Sequence, residues 1–173
     1  LPNGFSSPRA IAGFTDTADA YDPHHYYVIV ADSGNARIQK IDTTLGTSVG
    51  YVGRINTGTC GTAGAMTSAW CLNGTVNAAN TTQPAANLNN GYMTTPSGIW
   101  IDTAASPILV YVADSGNGKI LKFNASTGAF LGWVGRFNAT TTNHGCGSAP
   151  TGNAATPGWC TGGQMTTGTG NGE

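Results

Sequence analysis

The segment ADSGNARIQKID at residues 31–42 returns as ADSGNGKILKFN at residues 113–124, 82 positions later, and seven of the twelve positions are identical. In each copy an apolar run ends at Ala-Asp and a Ser-Gly-Asn turn follows. One small residue later, a new run begins at Arg37 or Lys119. Gly and Asn between two apolar runs are typical of the turn of a β-hairpin. The segment therefore predicts the same hairpin at two places in the chain.

The repeat extends beyond this hairpin. GYVGR at residues 50–54 matches GWVGR at 132–136 with the same spacing, and SSP at 6–8 matches TTP at 94–96. Each unit holds four short apolar runs separated by turn residues, which predicts a four-stranded antiparallel meander. The runs are AIAGFT, YYVIVAD, RIQKI and SVGYVGRI in the first unit, and GIWID, ILVYVAD, KILKF and FLGWVGRF in the second.

The second unit carries PSGI at residues 96–99, YVADSGN at 111–117, KILKF at 119–123 and STG at 126–128. In this order the four motifs resemble the NHL repeat, which forms one blade of a β-propeller. The first unit has the same layout, except that RAIAGF stands where the resemblance implies Pro-x-Gly-Ile. The resemblance covers residues 6–54 and 96–136. It implies an all-β fold of two four-stranded antiparallel propeller blades.

Each blade is followed by a long segment rich in Gly, Thr and Asn, which is a departure from compact NHL blades. We expect these segments to form small lobes, each closed by a disulfide. Repeat unit 1 then spans residues 1–87, with its blade at 6–55 and its lobe at 56–87. Repeat unit 2 spans residues 88–173, with its blade at 94–137 and its lobe at 138–173.

The turn after the second strand has the same residues in both units. We expect its glycines to take positive φ and its carboxylates to accept backbone N–H groups. Equivalence between the units favours a structural role, and the alternative is a ligand cup on the propeller face. The residues concerned are Asp32, Gly34 and Asn35 in unit 1, and Asp114, Gly116 and Asn117 in unit 2.

The four cysteines form two local pairs, Cys60 with Cys71 and Cys146 with Cys160, separated by 11 and 14 positions. One pair in each unit predicts one disulfide in each unit. The competing interpretation is a zinc site, which normally needs Cys-x-x-Cys or Cys/His clusters at short spacing. Disulfides form in oxidising compartments, so we expect a secreted or cell-surface protein.

Four Asn-x-Ser/Thr sequons predict covalent glycans, at Asn73, Asn80, Asn124 and Asn138. Charged residues make up only 9% of the chain and the net charge is −1, which argues against a nucleic-acid partner. No apolar run reaches 18 residues, so the sequence predicts no membrane-spanning helix.

Catalytic motifs are not evident. His24 and His25, with Asp22, are interpreted as a surface turn, and half of a metal site is the alternative. The sequence holds no Gly-rich phosphate loop, Gly-x-Ser-x-Gly elbow or His-Glu-x-x-His helix. We therefore expect a non-enzymatic protein without catalytic residues, cofactor or metal, and a lyase-like propeller enzyme is the minority interpretation.

Two blades cannot close a propeller, which needs about four to eight. The uncovered blade faces call for a ring of several copies, for the rest of a longer chain, or for a head-to-tail homopolymer. The low charge, local disulfides and sequons favour the homopolymer, in the form of a glycosylated extracellular filament or surface fibre. The alternative function is a binding module for a glycan or protein ligand, closed by oligomerisation or part of a longer chain.

Overall fold

The chain forms two four-stranded antiparallel sheets, so the all-β prediction is confirmed. The computed structural model describes residues 4–19, 22–57, 60, 65–73, 75–76, 91–135, 155–156 and 158–161. The sole helix within these ranges is the 3-10 turn Ser33–Asn35. None of the described helical structure is long and apolar enough to cross a membrane.

Each sheet is a meander whose strands are neighbours in chain order, as the four apolar runs predict. Sheet 1 contains β1 (Pro8–Thr15), β2 (Tyr26–Asp32), β3 (Arg37–Asp42) and β4 (Thr47–Gly53). A two-stranded ribbon of β5 (Ile55–Thr57) and β6 (Thr75–Val76) follows it. Sheet 2 contains β7 (Pro96–Asp102), β8 (Leu109–Asp114), β9 (Lys119–Asn124) and β10 (Phe130–Gly135).

The two sheets have the same strand register. In sheet 1, Pro8 lies opposite Asp32 and a bulge follows the proline; in sheet 2, Pro96 lies opposite Asp114 and the same bulge follows. The ladder between the third and fourth strands is also bulged at matching positions in both sheets. The 82-residue spacing of the sequence is therefore a true structural equivalence for the last three strands of each sheet.

Each sheet has two faces, which we call face A and face B, because side chains alternate across a strand. Face A is defined by three cross-strand neighbours, Ala31, Ile38 and Val52 in sheet 1 and Ala113, Ile120 and Val134 in sheet 2. Face B is defined by Val30, Gln39 and Tyr51 in sheet 1 and by Val112, Leu121 and Trp133 in sheet 2.

The hydrophobic core lies between face A of sheet 1 and face B of sheet 2. Ile38 and Val52 from the first sheet belong to the same buried cluster as Val112, Leu121 and Trp133 from the second. Burying one such aliphatic side chain contributes about 1.5–3 kcal/mol. β1 and β7 also contact each other directly. The two sheets thus use opposite faces for one interface, and the other face of each sheet does not take part in it.

The hairpin turns differ from the sequence prediction in one respect. Positive φ falls on Ala36 (50°) and Gly118 (60°), not on Gly34 or Gly116, so the expected positive φ at those two glycines is wrong. Both glycines lie where a Cβ would be crowded instead, by backbone at Gly34 and by threonine side chains at Gly116. A Cβ on Gly34 would come within 2.7 Å of the carbonyl oxygen of Ser6. The turn is a 3-10 turn in unit 1, and its left-handed residue comes two positions after the glycine.

Candidate functional site

The carboxylate of Asp32 organises the turn of sheet 1. Its Oδ1 accepts the Ser6 N–H at 2.7 Å, and its Oδ2 accepts Asn35 Nδ2 and Arg37 Nε, each at 2.7 Å. Arg37 also donates to the Gly4 carbonyl at 2.7 Å. Asp32 and Arg37 are buried, so this ion pair connects the turn to the segment that enters β1.

Asp114 has the same place in sheet 2, with a different cation beside it. Its oxygens accept the N–H groups of Thr94 and Thr95, at 3.1 and 2.8 Å, and the side-chain amide of Asn117. Burial lowers the pKa of Lys119 to about 8, although the Asp114 carboxylate acts in the opposite direction. Both aspartates are fully buried and their oxygens bind the protein's own groups, so neither is open to a ligand from solvent.

The two histidines of the described part of the chain lie beside different carboxylates. His25 Nε2 lies 2.9 Å from Asp42 Oδ1, and this close contact with the carboxylate raises the pKa of His25. His24 is exposed, and its Nδ1 lies 3.9 Å from Asp22 Oδ1. No group of three or more His, Cys, Asp or Glu side chains that could hold a metal ion occurs among the described residues.

The cysteine-bearing segments pair with the outer edge strand of each sheet. Tyr51 and Cys71 exchange two backbone hydrogen bonds of 2.9 Å, and Trp133 and Cys160 exchange two of 2.8 and 2.9 Å. These contacts cover part of the free edges of β4 and β10, and an uncovered edge favours aggregation.

A threonine four residues before each of these cysteines makes a second matching contact. Thr67 N–H donates to the Gly53 carbonyl at 3.0 Å, and Thr156 N–H donates to the Gly135 carbonyl at 2.8 Å. These threonines were not among the residues predicted from the sequence. The signal was their constant distance from the Trp-Cys dipeptide in both units.

Cys60 and Cys71 form the predicted disulfide, with their Cα atoms 5.8 Å apart. Cys160 is also disulfide-bonded, and Cys146, its predicted partner, lies outside the described residues. Cys71 and Cys160 are both buried against their sheets.

The sequons differ in their surroundings. Asn73 is exposed. Asn124 is half-buried, and its Oδ1 accepts the N–H groups of Ser126 and Thr127 at 2.9 and 3.0 Å, so this side chain shapes a turn. Asp42 makes the same two bonds in sheet 1, which shows that the position serves the turn in both units. Asn80 and Asn138 lie outside the described residues.

Polar contacts hold the two sheets together at the margin of the core. The carboxylate of Asp16 in unit 1 binds Lys40 Nζ at 2.8 Å and accepts the Ser126 hydroxyl of unit 2 at 2.6 Å. Burial alone raises the pKa of Asp16, but the hydrogen bonds from Lys40 and Ser126 outweigh it, so the pKa lies below its usual value. The ionised carboxylate is therefore the form that links the units.

The faces outside the core are the best candidate for a functional surface. On face A, Ile120 of sheet 2 is 44% exposed, whereas its equivalent Ile38 in sheet 1 is fully buried. Trp100, on the same face of sheet 2, is 59% exposed. This free face A presents the same kind of apolar surface that face A of sheet 1 buries in the core.

Face B of sheet 1 shows the complementary pattern. Tyr26 is 49% exposed, whereas its equivalent Ile108 in sheet 2 is 8% exposed. Ile11 is 66% exposed on this face, opposite Val30 in the ladder. Val30, Gln39 and Tyr51 on this face are buried, so its exposed apolar part is the β1–β2 side. We call the exposed parts of face A of sheet 2 and face B of sheet 1 the two free faces, and they belong to the two kinds of face that meet in the core.

No protein-family model matches the sequence. A search of curated proteins likewise found no match. The resemblance to the NHL repeat rests on the sequence motifs quoted above. The sheets that carry these motifs share one strand register.

Proposed function

We propose that the protein is a non-enzymatic extracellular structural protein whose copies assemble head to tail. The observation that carries this proposal is the pairing of the faces. Face A of sheet 1 packs on face B of sheet 2 inside the chain, while face A of sheet 2 and face B of sheet 1 keep large apolar side chains exposed. A second copy offers the missing half to each of them. Such a contact is heterologous and repeats from copy to copy.

The NHL resemblance supports the same assembly. In a propeller, each blade packs one face on the opposite face of the next blade, and the two sheets of this chain pack in that sense. We propose that each sheet is a blade, and that the blades of successive copies continue the series as a filament or surface fibre.

The extracellular location is supported by the cysteines. Cys60 and Cys71 form a disulfide, and disulfides form and persist mainly in oxidising compartments. Asn73 is an exposed sequon in such a protein, and we propose that it carries a glycan.

Negative-stain microscopy of the purified native protein, combined with a mass measurement across a concentration series, tests this function. We expect filaments and a mass that grows with concentration. Discrete closed rings would favour the ligand-binding propeller instead, and a monomer at every concentration would refute assembly.

A further inference from the structure

Trp70 forms the outer junction between the two units. Its indole Nε1 donates to the Ala125 carbonyl at 2.9 Å, and its backbone N–H donates to the Thr127 carbonyl at 3.1 Å. These carbonyls belong to the turn between β9 and β10. The contact is close, because a Cβ on Gly128 would come within 2.6 Å of the backbone nitrogen of Trp70.

Trp159 stands in the equivalent place on unit 2. Each tryptophan comes directly before a cysteine that pairs with the outer edge strand of its sheet, through Tyr51 for Cys71 and Trp133 for Cys160. The edge pairing therefore fixes the backbone of Trp159 as it fixes that of Trp70. Trp159 remains 38% exposed, with Lys122 Nζ 4.3 Å from its ring centroid.

The turn between β3 and β4 in unit 1 has the same conformation as the turn that receives Trp70. Gly46 N–H donates to the Asp42 carbonyl at 2.9 Å, and Gly128 N–H donates to the Asn124 carbonyl at 2.8 Å. Both glycines take positive φ, 66° for Gly46 and 76° for Gly128.

These two turns differ in what covers them. Apart from its chain neighbours, no atom of the described residues lies within 4 Å of the position that a Cβ would take on Gly46, whereas Trp70 covers Gly128. Thr43 is exposed, whereas its equivalent Ala125 is fully buried. The turn of unit 1 therefore has the conformation of the turn that Trp70 covers in unit 2, but it is exposed.

We propose that Trp159 of one copy docks on the turn at residues 42–46 of the next copy. Its indole N–H donates to the Thr43 carbonyl there, and its backbone N–H donates to the Leu45 carbonyl. The occupant is a second copy of this chain, because the chain itself contains both the donor and a working example of the contact. This inference rests on the proposed head-to-tail assembly and identifies the residues that set its register.

Two glycine variants provide a matched test. Gly46 and Gly118 both have positive φ, 66° and 60°, and a Cβ added at either position would meet open space, so alanine strains the backbone similarly at each. The residue of unit 1 equivalent to Gly118 is Ala36, so unit 1 already carries an alanine with positive φ at this position. At Gly46 the equivalent is Gly128, where a Cβ has no room.

We expect Gly46→Ala to raise the concentration needed for assembly by about tenfold to a hundredfold, as overpacking of a close contact does. Gly118→Ala should assemble at the same concentration as the parent. The measurement is the concentration of unassembled protein left after sedimentation, with circular dichroism to show that both variants are folded.

Trp159→Phe is the second variant, because it keeps a ring and removes only the indole N–H. We expect up to about a tenfold rise in the same concentration, which is the effect of one lost hydrogen bond. If the parent assembles and both Gly46→Ala and Trp159→Phe behave like it, the docking of Trp159 is overturned and the assembly stands. If the parent itself stays monomeric, the proposed function fails.

Discussion

Sheet 1 and sheet 2 share the same strand register but carry different side chains on face B. In sheet 1 this face carries Gln39 and Tyr51, and in sheet 2 the same positions carry Leu121 and Trp133. Face B of sheet 2 packs against the other sheet, whereas face B of sheet 1 lies outside that core, with Gln39 and Tyr51 buried and Ile11 and Tyr26 exposed. The two units thus share strand register and turns, while the side chains on face B differ between them.

The largest difference is expected at the paired positions Trp133 and Tyr51. Trp133 is the largest fully buried side chain and lies in the core, so Trp133→Ala should lower the free energy of unfolding by about 4 kcal/mol. The hydroxyl of Tyr51 is buried and makes no hydrogen bond to the described residues. Tyr51→Phe should therefore leave stability unchanged or raise it slightly.

Urea unfolding measures both variants. A clear loss of stability in Tyr51→Phe would contradict this comparison, because it would show that the hydroxyl has a binding partner in the monomer.

The buried cations give the next largest difference. Arg37 is paired with Asp32 and also donates to the Gly4 carbonyl, so Arg37→Met leaves a buried carboxylate without its cation and should cost about 3 kcal/mol. Lys119→Met should change stability by less than about 1 kcal/mol at pH 7. Burial outweighs the attraction of Asp114 for this charge, as the lowered pKa of Lys119 shows, and Asp114 keeps its donors from Thr94 and Thr95.

The pH dependence tests the same pair of variants. An unfolded lysine titrates near pH 10.5, and folded Lys119 titrates near pH 8. Between these values the unfolded chain holds a proton that the folded chain has lost, so the free energy of unfolding should rise with pH. We expect this rise in the parent and in Arg37→Met, and we expect Lys119→Met to lack it. An unchanged rise in Lys119→Met would contradict the assignment.

The turn glycines give a smaller contrast. A Cβ on Gly34 would lie 2.7 Å from the Ser6 carbonyl oxygen, which also accepts the Gly34 N–H. Gly34→Ala should therefore displace the entry to β1 and cost about 2 kcal/mol. Gly46→Ala meets open space, so only its left-handed backbone costs about 1 kcal/mol. Thermal unfolding of dilute, unassembled protein compares the two, and an equal loss would show that packing at Gly34 is unimportant.

The smallest effect belongs to His25. The close contact with the Asp42 carboxylate raises the pKa of His25, and the charges of Asp19 and Asp22 act in the same direction. Pro107 stands at the equivalent position in unit 2. A raised folded pKa adds stability that is complete below pH 6.5 and is lost as pH rises through the folded value. His25→Asn should remove this dependence from unfolding curves measured between about pH 5.5 and 8.5. A dependence that survives the substitution would have to come from another group.

The sequence predicts the strands well because each unit is a series of short apolar runs divided by turn residues. β2 and β8 are near-continuous apolar runs, and both are central strands of their sheets. Disulfide formation by Cys60 and Cys71 also follows from their spacing within one unit. These features depend on residues that are close together along the chain.

The sequence does not predict which faces meet, because a strand that is apolar on both sides looks the same whichever side packs. Lys119 reads as an exposed strand residue, and only the packing of the sheets shows that it is buried. Gly34 and Gly116 look like positive-φ residues, whereas their role depends on a strand entry more than twenty residues away. The binding position that we propose for Trp159 can be inferred only from the contacts of Trp70.

We expect the free faces of two copies to meet as the two sheets meet inside one chain. Ile11→Asp blocks face B of sheet 1, and Ile120→Asp blocks face A of sheet 2, at side chains that are 66% and 44% exposed. Light scattering of each folded variant alone, and of an equimolar mixture, is the most direct measurement. Each variant alone should remain a monomer of 17.6 kDa before glycosylation, and the mixture should form a dimer of one copy of each. Assembly of either variant alone would contradict head-to-tail contact through these two faces. A mixture that stays monomeric while the parent assembles would contradict it as well.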